Sequence, residues 1–230
     1  MKQPIENEVV AQLIRVTKIY PGGWAEEAAL KNVSFSARRG EIVLLLGPSG
    51  SGKTTFLTLL AGMQAPSSGE VHLFGRKVGD YSTAELQRLR AEKIGFIFQS
   101  FYLIDSLTAL ENVMLVLKFA GVDLENAKQR AVNYLKRFGV EHLSKSYPPT
   151  FSQGEKQRVA VARALANEAA FIIADEPTGS LATQQGFAIV DFLKESVRKE
   201  KRCVVIASHD ERIASLADQV YYLQDGVLKR

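Results

Sequence analysis

Glu41-Ile42-Val43-Leu44-Leu45-Leu46-Gly47-Pro48-Ser49-Gly50-Ser51-Gly52-Lys53-Thr54 is the stretch from which the fold can be read. One charge precedes five apolar residues without polar alternation. That pattern fits a strand buried on both faces of a mainly parallel sheet. The next eight residues match G-x-x-x-x-G-K-[ST]. Glycines let the backbone curl tightly and turn its N–H groups toward phosphate oxygens. The helix expected over Lys53–Gly62 adds its positive N-terminal end. Lys53 supplies a mobile cation for β- and γ-phosphates, and Thr54 a hydroxyl for Mg²⁺.

The same pattern recurs along the chain. Ile94-Gly95-Phe96-Ile97-Phe98, Phe171-Ile172-Ile173-Ala174 and Cys203-Val204-Val205-Ile206-Ala207 are further apolar runs. Helical segments are expected over Gln153–Asn167 and Gln184–Glu200. Alternation of this kind predicts an α/β fold: a mainly parallel sheet covered by helices. Two regions break the rhythm. Up to about Phe74, shorter runs such as Ala11–Thr17 and Val33–Ala37 predict a small N-terminal antiparallel β portion. From Gln99 to Ser152 no strand is expected. Helices over Thr108–Ala120 and Leu124–Phe138, then a loop at Tyr147-Pro148-Pro149, predict an inserted helical subdomain. The expected division is a core of residues 1–98 and 161–230, with helices at 99–160, in one domain.

Composition bounds the function. The 230 residues are 46% hydrophobic and 23% charged, ordinary for one globular domain. The formal charge of +4 is scattered, as on a solvated surface. Cys203 is the only cysteine, so an internal disulfide is impossible. No apolar signal core opens the chain, and no run reaches the ~18 apolar residues of a membrane span. A role at a membrane therefore calls for a partner.

A triphosphatase also needs a magnesium carboxylate and a group that activates water. Asp175 and Glu176 follow the apolar run at 171–174, where α/β sheets place their ligands. Taken alone, such a pair fits a solvated strand end. Beside the glycine loop, Asp175 is expected to hold Mg²⁺ and Glu176 to act as general base.

Together these segments resemble the ABC ATPases over nearly the whole chain and in the family's order. Gln99 closes its strand like the Q-loop glutamine. Phe151-Ser152-Gln153-Gly154-Glu155 resembles the signature, and Ser152-x-x-Glu155 is also a helix capping box. Asp175-Glu176-Pro177-Thr178-Gly179-Ser180-Leu181 resembles Walker B running into the D-loop. His209 resembles the switch histidine. Tyr20 lies where the family stacks an aromatic on adenine, although a strand-end aromatic on the core, with Trp24 as a rival stacker, fits as well. Singly, Gln99 and His209 also read as polar residues ending strands.

The resemblance implies an Mg-ATP site formed by Tyr20, Gly47, Pro48, Ser49, Gly50, Ser51, Gly52, Lys53, Thr54 and Thr55. The metal would be held by Thr54, Gln99 and Asp175. Catalysis would involve Glu176, His209, Lys53 and Gln99. It implies a head-to-tail homodimer in which Ser152 and Gly154 reach the other subunit's γ-phosphate. It implies an integral membrane permease as partner, met just after Gln99 near Phe101 and Tyr102, and a cytoplasmic place on the inner face of the cell membrane.

Several segments, including Leu107-Thr108-Ala109-Leu110-Glu111-Asn112-Val113, look most like ATPases of lipoprotein-releasing and macrolide-export transporters. Heme-export and cell-division ATPases share much of this wording. A regulator of a membrane partner is therefore the alternative to a transporter. Nucleic acid is not expected, since neither a coiled-coil heptad run nor a basic stripe is present. Two departures stand out. Ala182 replaces the D-loop aspartate, which predicts slower hydrolysis or altered coupling. Gln153 replaces the first signature glycine, adding bulk at a tight interface.

Overall fold

The computed structural model describes residues 8–21, 28–177 and 183–230, with the backbone alone over 183–188. In chain order the strands and helices are β1 (Val9–Ile19), β2 (Ala28–Arg38), β3 (Ile42–Leu46), α1 (Lys53–Leu60), β4 (Ser68–Leu73), β5 (Arg76–Lys77) and α2 (Thr83–Lys93). There follow β6 (Ile94–Ile97), α3 (Ala109–Phe119), α4 (Leu124–Arg137), α5 (Gln153–Leu165) and β7 (Phe171–Asp175). The chain closes with α6 (Thr183–Glu200), β8 (Cys203–Ser208), β9 (Gln219–Gln224) and β10 (Val227–Lys229).

Six strands form one sheet in the order β10-β9-β3-β8-β7-β6, parallel except for β10. A separate antiparallel sheet runs β2-β1-β4-β5. Side chains alternate across the parallel strands. Ile42, Leu44, Leu46, Ile172, Ala174, Val204 and Ile206 face a core shared with α3, α4, α5 and α6. Val43, Leu45, Phe171, Ile173, Cys203, Val205 and Ala207 face a second core, with α1 and the antiparallel sheet. Both faces are covered, which is why these strands read as unbroken apolar runs. Each fully buried Leu, Ile or Phe contributes about 1.5–3 kcal/mol.

The expected strands and long helices are all present. Phe98 lies just past β6 rather than in it, and α1 stops at Leu60 with Ala61 as its cap. Between Gln99 and Ser152 the described residues form no strand: a loop leads into α3 and α4, followed by short 3₁₀ turns at Glu141–Leu143 and Pro148–Thr150. α5 crosses position 160 without a break. The sequence reading did not anticipate α2, β9 or β10. α2 is strongly polar and buries no residue fully, so its apolar periodicity is faint. Its start is nevertheless well defined by a Ser82–Glu85 capping box.

Gly95 shows what holds α5 to the sheet. A Cβ there would lie 2.1 Å from the carbonyl oxygen of Ala164. A glycine inside a strand marks such an approach of one backbone to another. Gly95→Ala should therefore force β6 and α5 apart and cost about 1–3 kcal/mol. Gly79→Ala, where a Cβ meets nothing within 4 Å, should stay within about 0.5 kcal/mol of wild type. Urea unfolding midpoints of the two variants compare them directly.

Candidate nucleotide site

Strand register brings the expected residues together. Leu46 pairs with Ser208 and Asp175 with Ala207. The loop after β3, the Asp175-Glu176 pair after β7 and His209 after β8 thus emerge at one level, at the C-terminal edge of the sheet. That edge is where open α/β sheets bind ligands.

In the loop, Gly52 adopts φ 101°, and a Cβ there would meet the carbonyl of Ala29 at 2.4 Å. Both facts restrict the position to glycine. The buried Lys53 ammonium donates to the carbonyls of Gly47 (2.7 Å) and Pro48 (3.1 Å) and lies 3.7 Å from Glu176 Oε1. Phosphate oxygens can take over these carbonyl contacts. Ser51 Oγ is buried and has no hydrogen-bond partner among the described residues. Leaving such a group unmatched costs about 1–3 kcal/mol, which a phosphate oxygen would relieve.

Thr54 Oγ1 donates to Asp175 Oδ2 at 2.7 Å. A hydroxyl and a carboxylate held this close form a hard-oxygen pair of the kind that suits Mg²⁺. Asp175 is buried, and its carboxyl is pushed up from the usual range, first by burial and then by the charge of Glu176. The Thr54 hydrogen bond and Lys53 oppose that shift. A divalent cation would offset both causes, so the residues fit the ion.

Glu176 is nine-tenths buried and sits at φ 49°, a left-handed backbone uncommon outside glycine. Its N–H donates to the Ala207 carbonyl at 2.9 Å. Its Oε1 lies 3.0 Å from His209 Nδ1, and its Oε2 accepts from Ser208 Oγ at 3.3 Å. Ser208 was not singled out in the sequence. The available signal was a hydroxyl residue between an apolar run and a candidate histidine.

Tyr20 is half-exposed. Its hydroxyl donates to Gln64 Oε1 (2.7 Å) and lies 3.3 Å from Thr55 Oγ1, so it borders the loop rather than the core. Trp24 and the segment from Thr178 to Ala182 lie outside the described residues. Gln99 is exposed on the turn after β6, and no hydrogen bond among the described residues joins it to Lys53, Thr54 or Asp175.

Ser152 and Gly154 likewise stand apart from the loop, at the start of α5. Ser152 caps α5 in a reciprocal capping box with Glu155. The Glu155 carboxyl is held below its usual range, chiefly by the Ser152 hydroxyl and N–H. Farther along, Gln157 donates to the Pro177 carbonyl and Arg163 to the carbonyls of Phe101 and Tyr102. Beside Tyr102 a cleft of about 1020 Å³ opens between α2, β6 and α3, lined by Met63, Phe96, Phe98, Tyr102 and Phe119.

The fold and this loop define a P-loop nucleotide-binding domain. The chain belongs to the ABC transporter family, whose model, described as ABC transporter, matches residues 30–179. It is an ATP-binding, ATP-hydrolysing subunit of that family.

Its relatives include HrtA of Staphylococcus haemolyticus, named for hemin import. The two are 41% identical over 95% of this chain and 98% of that one. The macrolide export ATP-binding/permease protein MacB of Burkholderia pseudomallei is 39% identical over 94% of this chain, which spans 33% of MacB. Among solved structures, the dimeric post-hydrolysis state of the ATP-binding cassette MJ0796 bound to ADP and Pi superposes with a TM-score of 0.91. It is 40% identical, covering 96% of this chain and 97% of that one. The matching sequence comes from Methanocaldococcus jannaschii. No described helix is long and apolar enough to cross a membrane.

Asp175→Asn keeps an acceptor for Thr54 while removing the buried charge. With a raised folded-state value, the wild-type carboxylate costs stability that builds as pH rises above the usual carboxylate range. The variant, free of nucleotide and metal, should therefore melt a few degrees higher than wild type at about pH 7.5, with a smaller gap near pH ~5. It should also lack the further rise in Tm that Mg-ATP gives wild type. Melting curves at the two pH values, with and without Mg-ATP, check both outcomes.

Proposed function

We propose that this chain energises a separate membrane permease of the export type by closing as a head-to-tail homodimer around two Mg-ATP molecules and reopening after hydrolysis. The supporting observation is the convergence of Lys53, Thr54, Asp175, Glu176 and His209 in one cluster, with Ser152 and Gly154 held apart on α5. A site lacking its signature contact within one chain is one that a second copy can complete. The similar MJ0796 cassette is dimeric in its post-hydrolysis structure, which agrees with this reading.

In this reading residues 47–55 cradle the phosphates and Tyr20 meets the adenine. Thr54, Asp175 and Gln99 hold Mg²⁺, which when bound neutralises charge on the β- and γ-phosphates. Glu176 takes a proton from water as the water oxygen bonds to the γ-phosphorus and the bond to the β–γ bridging oxygen breaks, giving ADP and phosphate. His209, Gln99 and Lys53 respond to the γ-phosphate. Closure then depends on ATP and opening on hydrolysis, so nucleotide state becomes shape.

The working division is a core of residues 1–98 and 161–230 and a helical subdomain of 99–160. The apolar cleft beside Tyr102 and Phe119 is the surface offered to the permease, with the chain peripheral on the cytoplasmic face of the membrane. Extrusion of a hydrophobic substrate is favoured by the segments that resemble lipoprotein-releasing and macrolide-export ATPases.

Glu176→Gln should lower hydrolysis by about a hundredfold or more and trap an ATP-dependent dimer visible by light scattering. Purified from detergent-solubilised membranes with ATP, that variant should bring a multi-span protein in fixed stoichiometry. Adding Phe119→Asp should release the membrane protein and leave the dimer intact. Recovery with DNA or with soluble proteins alone would overturn the transport reading.

A further inference from the structure

We propose that Ser208 is a positioning residue that holds the Glu176 carboxylate in its working orientation through the hydrolytic cycle. The proposal rests on reading Glu176 as the general base.

Ser208 ends β8 and is fully buried. Its Oγ accepts the Asp210 N–H at 3.0 Å and donates to Glu176 Oε2 at 3.3 Å. A hydroxyl has one proton, and the incoming N–H occupies its acceptor side. The proton is therefore directed at the carboxylate. A distance of 3.3 Å is long for such a bond, and catalytic hydrogen bonds commonly tighten when substrate is bound.

The two carboxylate oxygens have different company. Oε1 faces His209 Nδ1 at 3.0 Å and Lys53 Nζ at 3.7 Å. Both of these groups have work at the phosphates, and the His209 side chain is two-thirds exposed and free to turn. Ser208 lies inside the sheet edge, pinned by backbone on its far side, and cannot follow them to the phosphate. When ATP draws His209 and Lys53 away, the Ser208 hydroxyl stays on Oε2. That leaves Oε1 toward water.

The backbone supports the same division. Asp175 pairs with Ala207 and the Glu176 N–H donates to the Ala207 carbonyl, so Glu176 and Ser208 stand side by side at the end of the ladder. Glu176 leaves the strand in a left-handed conformation. From there a flexible side chain gains direction from a fixed donor, and misplacement by an ångström can cost a hundredfold in rate.

Ser208→Ala should lower kcat about tenfold with KM and ATP affinity unchanged. Ser208→Thr, which keeps the hydroxyl, should retain most of the rate. Ser208→Cys, similar in size but a weak donor, should repeat the alanine loss and so separate lost packing from lost hydrogen bonding. Single-turnover hydrolysis in a Glu176→Gln background decides between routes. There Ser208→Ala should cause no further loss, and the double variant should still form the ATP-dependent dimer. A wild-type kcat for Ser208→Ala and Ser208→Cys, or a second tenfold loss without Glu176, overturns the proposal. Unimpaired hydrolysis by Glu176→Gln alone overturns the general-base reading instead.

Discussion

Burial of the parallel strands on both faces is the constraint on which the rest depends. With helices on one side and the antiparallel sheet with α1 on the other, β3, β7 and β8 have no polar face. A slip of one residue would exchange the two side-chain sets between cores of different shape. Register is therefore strongly specified, and register is what levels the loop after β3 with Asp175, Glu176 and His209. Site geometry follows from hydrophobic packing, before any charged group is considered.

Charge then meets burial at that edge. Lys53, Asp175 and Glu176 are all at most a tenth exposed, with one ammonium serving two carboxylates. Buried charges are costly unless paired and hydrogen-bonded. Here the pairing is incomplete: the Asp175 carboxyl is pushed toward its neutral form, and Ser51 Oγ lacks a partner among the described residues. Such an arrangement gains more from polyvalent anionic and cationic ligands than a fully satisfied site could. Stability given up in the free protein is recovered on binding.

α5 links this edge to the helical part. Its first turn is capped by Ser152, its middle reaches the Pro177 carbonyl through Gln157, and its last turns reach the Phe101 and Tyr102 carbonyls through Arg163. Phe101 and Tyr102 are both left-handed, so this turn relies on side-chain anchors. Burial lowers the Arg163 guanidinium to about 10, and both carbonyl contacts lie at its tip. On the other side, buried Asn112 accepts the Ile104 N–H and donates to the carbonyls of Ile104, Leu107 and Thr108. The apolar cleft therefore rests on a loop tied at both ends to rigid helices.

Much of this was legible in the amino-acid sequence. Continuous apolar runs meant strands covered on both faces, and the spacing from Gly47 to Thr54 meant a phosphate loop, because each is a local pattern with a local cause. The Ser152–Glu155 cap was readable for the same reason. Polar α2 and the short closing strands β9 and β10 were not, since their periodicity is weak and their places come from neighbours. Ser208 was not singled out in the sequence, and only its register beside Glu176 gave its hydroxyl a partner. The sequence by itself determined the strands, the loop and the kinds of chemical group available. Tertiary structure alone decided which groups meet, because burial on two faces sets the register that brings residues more than a hundred positions apart within hydrogen-bonding distance.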